Sequence, residues 1–276
     1  MCIVSAEAKL SKTRILSLPL DNGRHLLSYS NKVENTSGKV NSMILPIPGE
    51  LNQDWFSVTT EYNKFLEEIE EQAYTEEYRS RGVKSKSVEY LSFEEFEVGF
   101  YKVITTNDIE ALRERLSTLD ARQRPEISDE LLNFFKTNYE GWSFVVCIFS
   151  GDKEMEAQPI MFEYKPFHYE WIYYPMMDSH TGGAPNLNED VSVDHTLIIE
   201  HIGLKEGETT KVKFSQDVPE KLRRRKFVST KWKGRMKNGD MYININLLKE
   251  KTDDAGSSHR MFKRANSHPE ERAIIF

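Results

Sequence analysis

The run Trp142–Phe149, WSFVVCIF, constrains this chain more than any other stretch. Ser143 is its one polar residue and Val145-Val146 stand at its centre. A strand with one wet face alternates apolar and polar residues. A run that does not alternate is the pattern of a strand covered on both faces. The elements predicted around it must supply that cover.

Ahead of it, Thr13–Leu20 and Arg24–Ser30 are strand-like, with Asp21-Asn22-Gly23 between them. Asn-Gly favours a type I′ hairpin turn, because both residues tolerate φ > 0. Val40–Leu45 reads as a third strand. Pro46 and Pro48 each remove a backbone donor, so the ladder ends there or lies at an edge. Ser57–Arg79 is the clearest helix. Tyr62, Phe65, Leu66, Ile69 and Ala73 recur at helical spacing, with Tyr74 and Tyr78 beyond. Its other face carries Glu67, Glu68, Glu70, Glu71, Glu76 and Glu77 and reads as solvated. Val88–Phe93 and Val98–Thr105 are strands by composition.

Asn107 is placed to cap a helix, with Glu110 in capping-box position and Ile109, Leu112, Leu116 and Leu119 as its apolar stripe. Ser128 caps another, with Leu131, Leu132, Phe135 and Tyr139 inward and Gly141 as its stop. After Gly151 strands are predicted at Pro159–Tyr164, Glu170–Tyr174, His195–Ile202 and Thr209–Phe214. A last hairpin follows, in which Asn238-Gly239 leads to Met241–Leu248. The order predicts an α+β fold: a mixed or antiparallel sheet, an N-terminal β-hairpin, three main helices and a strand-rich C-terminal half. Residues 1–248 read as a single domain with a sub-boundary near 150–158. Residues 249–276 are polar and unpatterned and read as a flexible tail.

Several short motifs fall in a familiar order: MILPIP (Met43–Pro48) and the helix after it, EVGFYKV (Glu97–Val103), YEGWSFVV (Tyr139–Val146) and PIMFEY (Pro159–Tyr164). The chain resembles, over roughly residues 13–164, a family of uncharacterised bacterial proteins catalogued only as a domain of unknown function. Its members carry a Val-Pro-Val-Pro-like strand end, a VG-x-Y strand, two short helices and a GW-x-F-V strand. The resemblance implies the element order above and brings no reaction with it.

The candidate chemistry gathers in Pro175–His201, which holds three of the seven histidines and a Gly182-Gly183-Ala184-Pro185 turn. That turn is expected to reverse the chain and bring His180 and His195 together, bridged by Asp178 or Asp194. Asp178, His180, Asp194 and His195 would then offer mixed N/O ligands to a divalent metal such as Zn, Mn or Fe. The same residues suit His–Asp acid–base chemistry or anion binding, or simply a hydrogen-bonded structural loop. His195 and His201, six residues apart on one strand, stand about 20 Å from each other. Cys2 is a further candidate. Removal of Met1 would leave a cysteine whose own α-amine can act as base, as in N-terminal-nucleophile amidohydrolases; the bland reading is a small buried strand residue.

Net charge is −7, unevenly placed. Residues 219–240 hold nine Lys or Arg against Glu220 and Asp240 and carry +7, leaving −14 on the rest. Arg223, Arg224, Arg225, Lys226, Lys231, Lys233 and Arg235, with Phe227 and Trp232 interleaved, form a candidate anion-binding patch. The bland counterpart is a solvated face that pairs with the acidic helix. No apolar run approaches the ~20 residues that span a bilayer, and the N-terminus does not read as a signal peptide. Cys147, in an apolar run, is expected buried and reduced. A cytoplasmic protein with no membrane partner is the expectation. Two function classes follow: a soluble binding or adaptor protein with an anionic partner at 221–237, or a hydrolase, either with a His/Asp site at Asp178, His180, Asp194 and His195 or as an N-terminal amidohydrolase with Cys2, the catalytic candidates being Cys2, His180 and His195.

Overall fold

A computed structural model describes residues 3–57, 59–73, 95–151, 153–200, 211–248 and 262–264. Strands β1 (Ile3–Val4), β2 (Ala8–Pro19) and β3 (His25–Asn35) open the chain. The β2–β3 hairpin forms where the alternation placed it, but its turn differs. Leu20 N donates to the Arg24 carbonyl at 2.8 Å and Gly23 N to the Leu20 carbonyl at 3.3 Å. Gly23 alone in the turn has positive φ, at 77°. This is a three-residue loop with glycine last, not the two-residue type I′ turn. Asn22 serves through its side chain, accepting from Arg24 N at 3.1 Å.

The β2–β3 register shifts between Ser11 and Arg14, where Lys12 takes a φ of 51°. The extra residue rephases the strand. Ala8 and Leu10 before it and Ile15 after it all reach the same inner core, while Arg14 turns to the other face.

Next come β4 (Asn41–Ile47), β5 (Gly49–Glu50), β6 (Phe56–Ser57), α1 (Phe65–Ala73), β7 (Glu95–Val98) and β8 (Tyr101–Thr106). Then follow α2 (Ile109–Ser117), α3 (Asp129–Asn138), β9 (Ser143–Phe149), β10 (Met155–Glu156), β11 (Ile160–Pro166) and β12 (Trp171–Tyr174). The last are β13 (Asp190–Glu200), α4 (Glu220–Arg223), β14 (Phe227–Lys237), β15 (Met241–Asn244) and β16 (Phe262–Arg264).

One sheet runs β1-β4-β9-β8-β7 and a larger one β14-β13-β2-β3-β11-β5, with β10 beside β3 and β6 beside β11. Only the β13–β2 pairing is parallel within these ladders, so the sheet is mixed and the fold is α+β. A small sheet, β12-β15-β16, stands apart from both.

All seven residues of β9 are buried, because it has a layer on each side. Phe144 meets Phe135 of α3 with ring centroids 5.3 Å apart, whereas Phe149 meets Tyr101 at 5.8 Å. The Tyr101 hydroxyl donates to Asn31 Oδ1 on β3 at 3.1 Å. Alternate residues of β9 thus face the helices and the large sheet. On the far face of the large sheet, Phe65, Leu66 and Ile69 of α1 and Leu222 of α4 cover Leu16, Leu18, Leu26 and Ile198 in a second core. The layers are helices, sheet, sheet, helices. Among the described residues no helix is long and apolar enough to cross a membrane.

Several expectations shift. The helix foreseen from Ser57 begins at Phe65, because Ser57 pairs with Met161 of β11 and Thr59 Oγ1 donates to the Pro159 carbonyl at 2.5 Å. Its apolar stripe from Tyr62 to Ala73 is buried as expected; residues 74–94 lie outside the described residues, with the Val88–Phe93 strand. β4 runs through Pro46 to Ile47, and β1 reaches only Met43 and Ile44, so the proline lies where β4 is an edge. Gly99, at φ 61°, splits the strand foreseen at 98–105 into the β7–β8 hairpin.

The α2 cap is Asp108, accepting from Glu110 N at 2.8 Å, because Asn107 is engaged by Ser143 Oγ at 2.7 Å. Residues 211–214 are not a strand. Asn238-Gly239 makes no hairpin: β14 pairs with β13 and β15 with β12, so this link carries the chain from the large sheet to the small one. Of the expected tail, Phe262–Arg264 lie along β15 and the rest falls outside the described residues.

Candidate anion-binding surface

β14 begins under α1 and runs out into solvent. Lys231, Lys233, Arg235 and Lys237 alternate along it and share one face. Trp232 and Met236, on the other face, pack half-buried against the inner core. β14 pairs with β13 along its whole length, from Phe227 opposite Glu200 to Lys237 opposite Asp190. β13 in turn meets β2 only over His195–Ile198. The ends of the two strands, Asp190–Asp194 and Lys233–Lys237, therefore form a ribbon beyond the sheet. Among the described residues nothing pairs with the outer edge of β14.

Most of the basic run is matched by acids from elsewhere in the chain. Lys221 Nζ lies 2.9 Å from Glu163 Oε1, Arg223 3.0 Å from Asp217, Lys231 3.2 Å from Glu70 and Lys233 3.7 Å from Asp194. Arg224 pairs with Glu220 and Arg225 with Glu200. Burial pushes the Glu200 carboxyl up, against the pull of Arg225. Burial also works to raise Glu70, but the hydrogen bond and charge of Arg14, with Thr196 and Lys231, hold that carboxyl below its usual range. Lys226, Arg235 and Lys237 have no carboxylate partner among the described residues. Arg235 Nη2 donates to the Asp190 carbonyl at 3.2 Å and Lys237 Nζ to the Asn188 carbonyl at 2.7 Å. The expected patch thus falls into two groups, on α4 and on β14. Among the described residues the charge without a carboxylate partner lies at Lys226, ahead of β14, and at the end of the ribbon, where Lys237 joins Arg235.

The stretch Pro175–Pro185 is a hub of another kind. Met176 N and Met177 N donate to Asp240 Oδ1 at 2.8 and 2.9 Å, and Asp178 N donates to Asn238 Oδ1 at 2.8 Å. On its other side Val4 N donates to the Ser179 carbonyl at 3.0 Å and Ala8 N to the His180 carbonyl at 3.1 Å. His180 Nε2 lies 2.8 Å from Asp178 Oδ1, close enough for an ion pair when the ring is protonated, but among the described residues neither atom makes a hydrogen bond.

The foreseen convergence with Asp194 and His195 is not what the fold builds. His180 sits beside Ala8 and His195 beside Thr13, about 16 Å of strand further along β2. Asp194 is exposed next to Lys233, while His195, 3 % exposed, points to the opposite face. The reason is the pairing of β13 with β2 and β14 rather than with residues 174–180. Among the described residues no three His, Cys, Asp or Glu side chains gather to hold a metal ion. Cys2 and His201 lie outside the described residues.

A polar centre that spacing and charge pattern do not mark is Asp240. It is 2 % exposed and its Oδ2 accepts from the Tyr139 hydroxyl at 2.7 Å. Burial raises its carboxyl, and its donors on Tyr139, Met177 and Met176 offset only part of that. The signal in the sequence is an acid between an Asn-Gly pair and the apolar Met241–Ile243.

No family model matches this chain, and no curated protein matches it. Among solved structures it is similar to baculovirus P35, with a TM-score of 0.46 at 16% identity over 74% of this chain and 68% of that one. A mutated baculovirus P35 after caspase cleavage gives a TM-score of 0.44 at 14% identity, over 85% of this chain and 97% of that one. P35 in its complex with caspase-8 gives 0.43 at 16% identity, over 71% and 65%.

Proposed function

We propose that this chain is a binding protein that takes an anionic partner on the β13–β14 ribbon. The observation that carries the reading is the row Lys233, Arg235 and Lys237, exposed along one face of a strand at the edge of its sheet, with no carboxylate partner for the last two among the described residues. Charges so exposed act through water and are screened over a Debye length of about 8 Å at physiological salt. Binding through them is therefore salt-sensitive and supplies attraction rather than shape.

The ion pairs on α4 shift the emphasis away from Arg223, Arg224 and Arg225. Retention of the purified protein on immobilised heparin, eluted with rising salt, separates the groups. Arg235→Ala with Lys237→Ala should elute at clearly lower salt, and Arg223→Ala with Arg224→Ala should move elution less. Failure of the wild type to be retained, or unchanged elution of the Arg235/Lys237 variant, overturns the proposal.

A further inference from the structure

We infer that the partner is an extended peptide, alternating acidic and apolar residues, that adds as a further strand to the edge of β14 that no described residue pairs, along Lys233–Lys237. The inference rests on the anion-binding reading above and names the partner's class. A strand paired on one side only presents, at every second residue, a backbone N–H and C=O with no protein partner. Here that edge belongs to the section of β14 that has left the cover of α1.

The two faces of the edge differ in chemistry. One bears Lys233, Arg235 and Lys237, spaced about 7 Å apart as residues two apart on a strand must be. The other bears Trp232 and Met236, half-buried against the core. A strand added alongside places its own side chains on the same two faces in turn. Acids at alternate positions meet the cations across the new ladder, and apolar residues between them extend the cover over Trp232 and Met236. Gly234, between the cations, is exposed, and nothing lies within 4 Å of where its Cβ would stand. No side chain there holds off an approaching backbone. A phosphate backbone would satisfy the cations but has neither amide groups for the edge nor an apolar side for the second face.

The test uses the whole chain and three probes by fluorescence anisotropy: a peptide alternating Glu and Val, the same peptide N-methylated at alternate amides, and heparin. The alternating peptide should bind, and its N-methylated form about tenfold more weakly, as loss of one or two backbone hydrogen bonds requires. Arg235→Glu with Lys237→Glu should lose both peptide and heparin while keeping the thermal midpoint of the parent. Equal binding of the two peptides, or binding of heparin with neither peptide, overturns strand addition and leaves the anion-binding reading standing. Absence of heparin and peptide binding alike overturns both.

Discussion

Gly182 and Gly183 are neighbours in one turn, and a methyl group should affect them very differently. Gly182 has a φ of 82°, and a Cβ there would stand 2.6 Å from the Ser5 carbonyl oxygen and 3.0 Å from Ala6 Cα. Both obstacles are backbone, and that backbone is held: Ser5 N donates to the Ser42 carbonyl at 2.9 Å and Ala6 N to Asn41 Oδ1 at 2.9 Å. Left-handed backbone costs an L-residue roughly 1–2 kcal/mol. Moving the Ser5–Ala6 segment strains or breaks hydrogen bonds each worth ~1 kcal/mol. Gly182→Ala should therefore destabilise by about 3 kcal/mol.

At Gly183 the new Cβ would meet only Thr181 Oγ1 at 3.5 Å and Glu130 Oε2 at 3.8 Å, ordinary contacts on unstrained backbone. Gly183→Ala should lie within about 0.5 kcal/mol of the parent, with a stabilising contribution from the restricted unfolded chain. Urea unfolding followed by tryptophan fluorescence measures both. With a slope of roughly 2–3 kcal/mol/M, the midpoint of Gly182→Ala should fall by ~1 M or more. A Gly182→Ala midpoint close to the parent's, or equal falls for the two variants, would show that the turn is not pinned against the Ser5–Ala6 backbone.

Two further outcomes are expected. His25 is buried, its Nε2 must carry hydrogen to donate to the Tyr169 carbonyl at 2.9 Å, and burial lowers its pKa to about 4. The unfolded chain takes up that proton first, so the stability of the neutral ring is present above pH ~6.5 and is lost as pH falls toward 4, by about 3 kcal/mol. The unfolding free energy against pH should show this slope, and His25→Gln should flatten it; an unchanged slope in the variant refutes the assignment. Arg14, 11% exposed at its side chain, is held by Glu70 at 2.6 Å. Glu70→Ala should cost roughly 1–3 kcal/mol, because Arg14 would keep only the half-exposed Glu67 at 3.6 Å and Glu156 at 3.5 Å, and pairing it with Arg14→Met should recover part of the loss; a single variant as stable as the parent excludes the clamp.

The sequence by itself determined the elements whose cause is local. The unbroken apolar run of β9, the buried stripes of α1, α2 and α3, the Ser128 cap and the β2–β3 hairpin all follow from spacing and capping chemistry that act within a few residues. Candidate sites were legible only as residue types. What those residues do was decided by pairings between distant segments. Lys231 meets Glu70 and Lys221 meets Glu163, so a run that reads as +7 is matched at most of its cations, with Lys226, Arg235 and Lys237 left over among the described residues. His180 and His195 read as partners across a tight turn, yet strand pairing set them beside different parts of β2, at Ala8 and at Thr13. Gly182 and Gly183 look alike in sequence, and only the backbone of Ser5 and Ala6 tells them apart. Hydrogen-bond registers and charge compensation are long-range terms, and a one-dimensional reading has no access to which partner arrives. The free edge of β14 is the same case, because an edge exists only once the rest of the sheet has chosen its order.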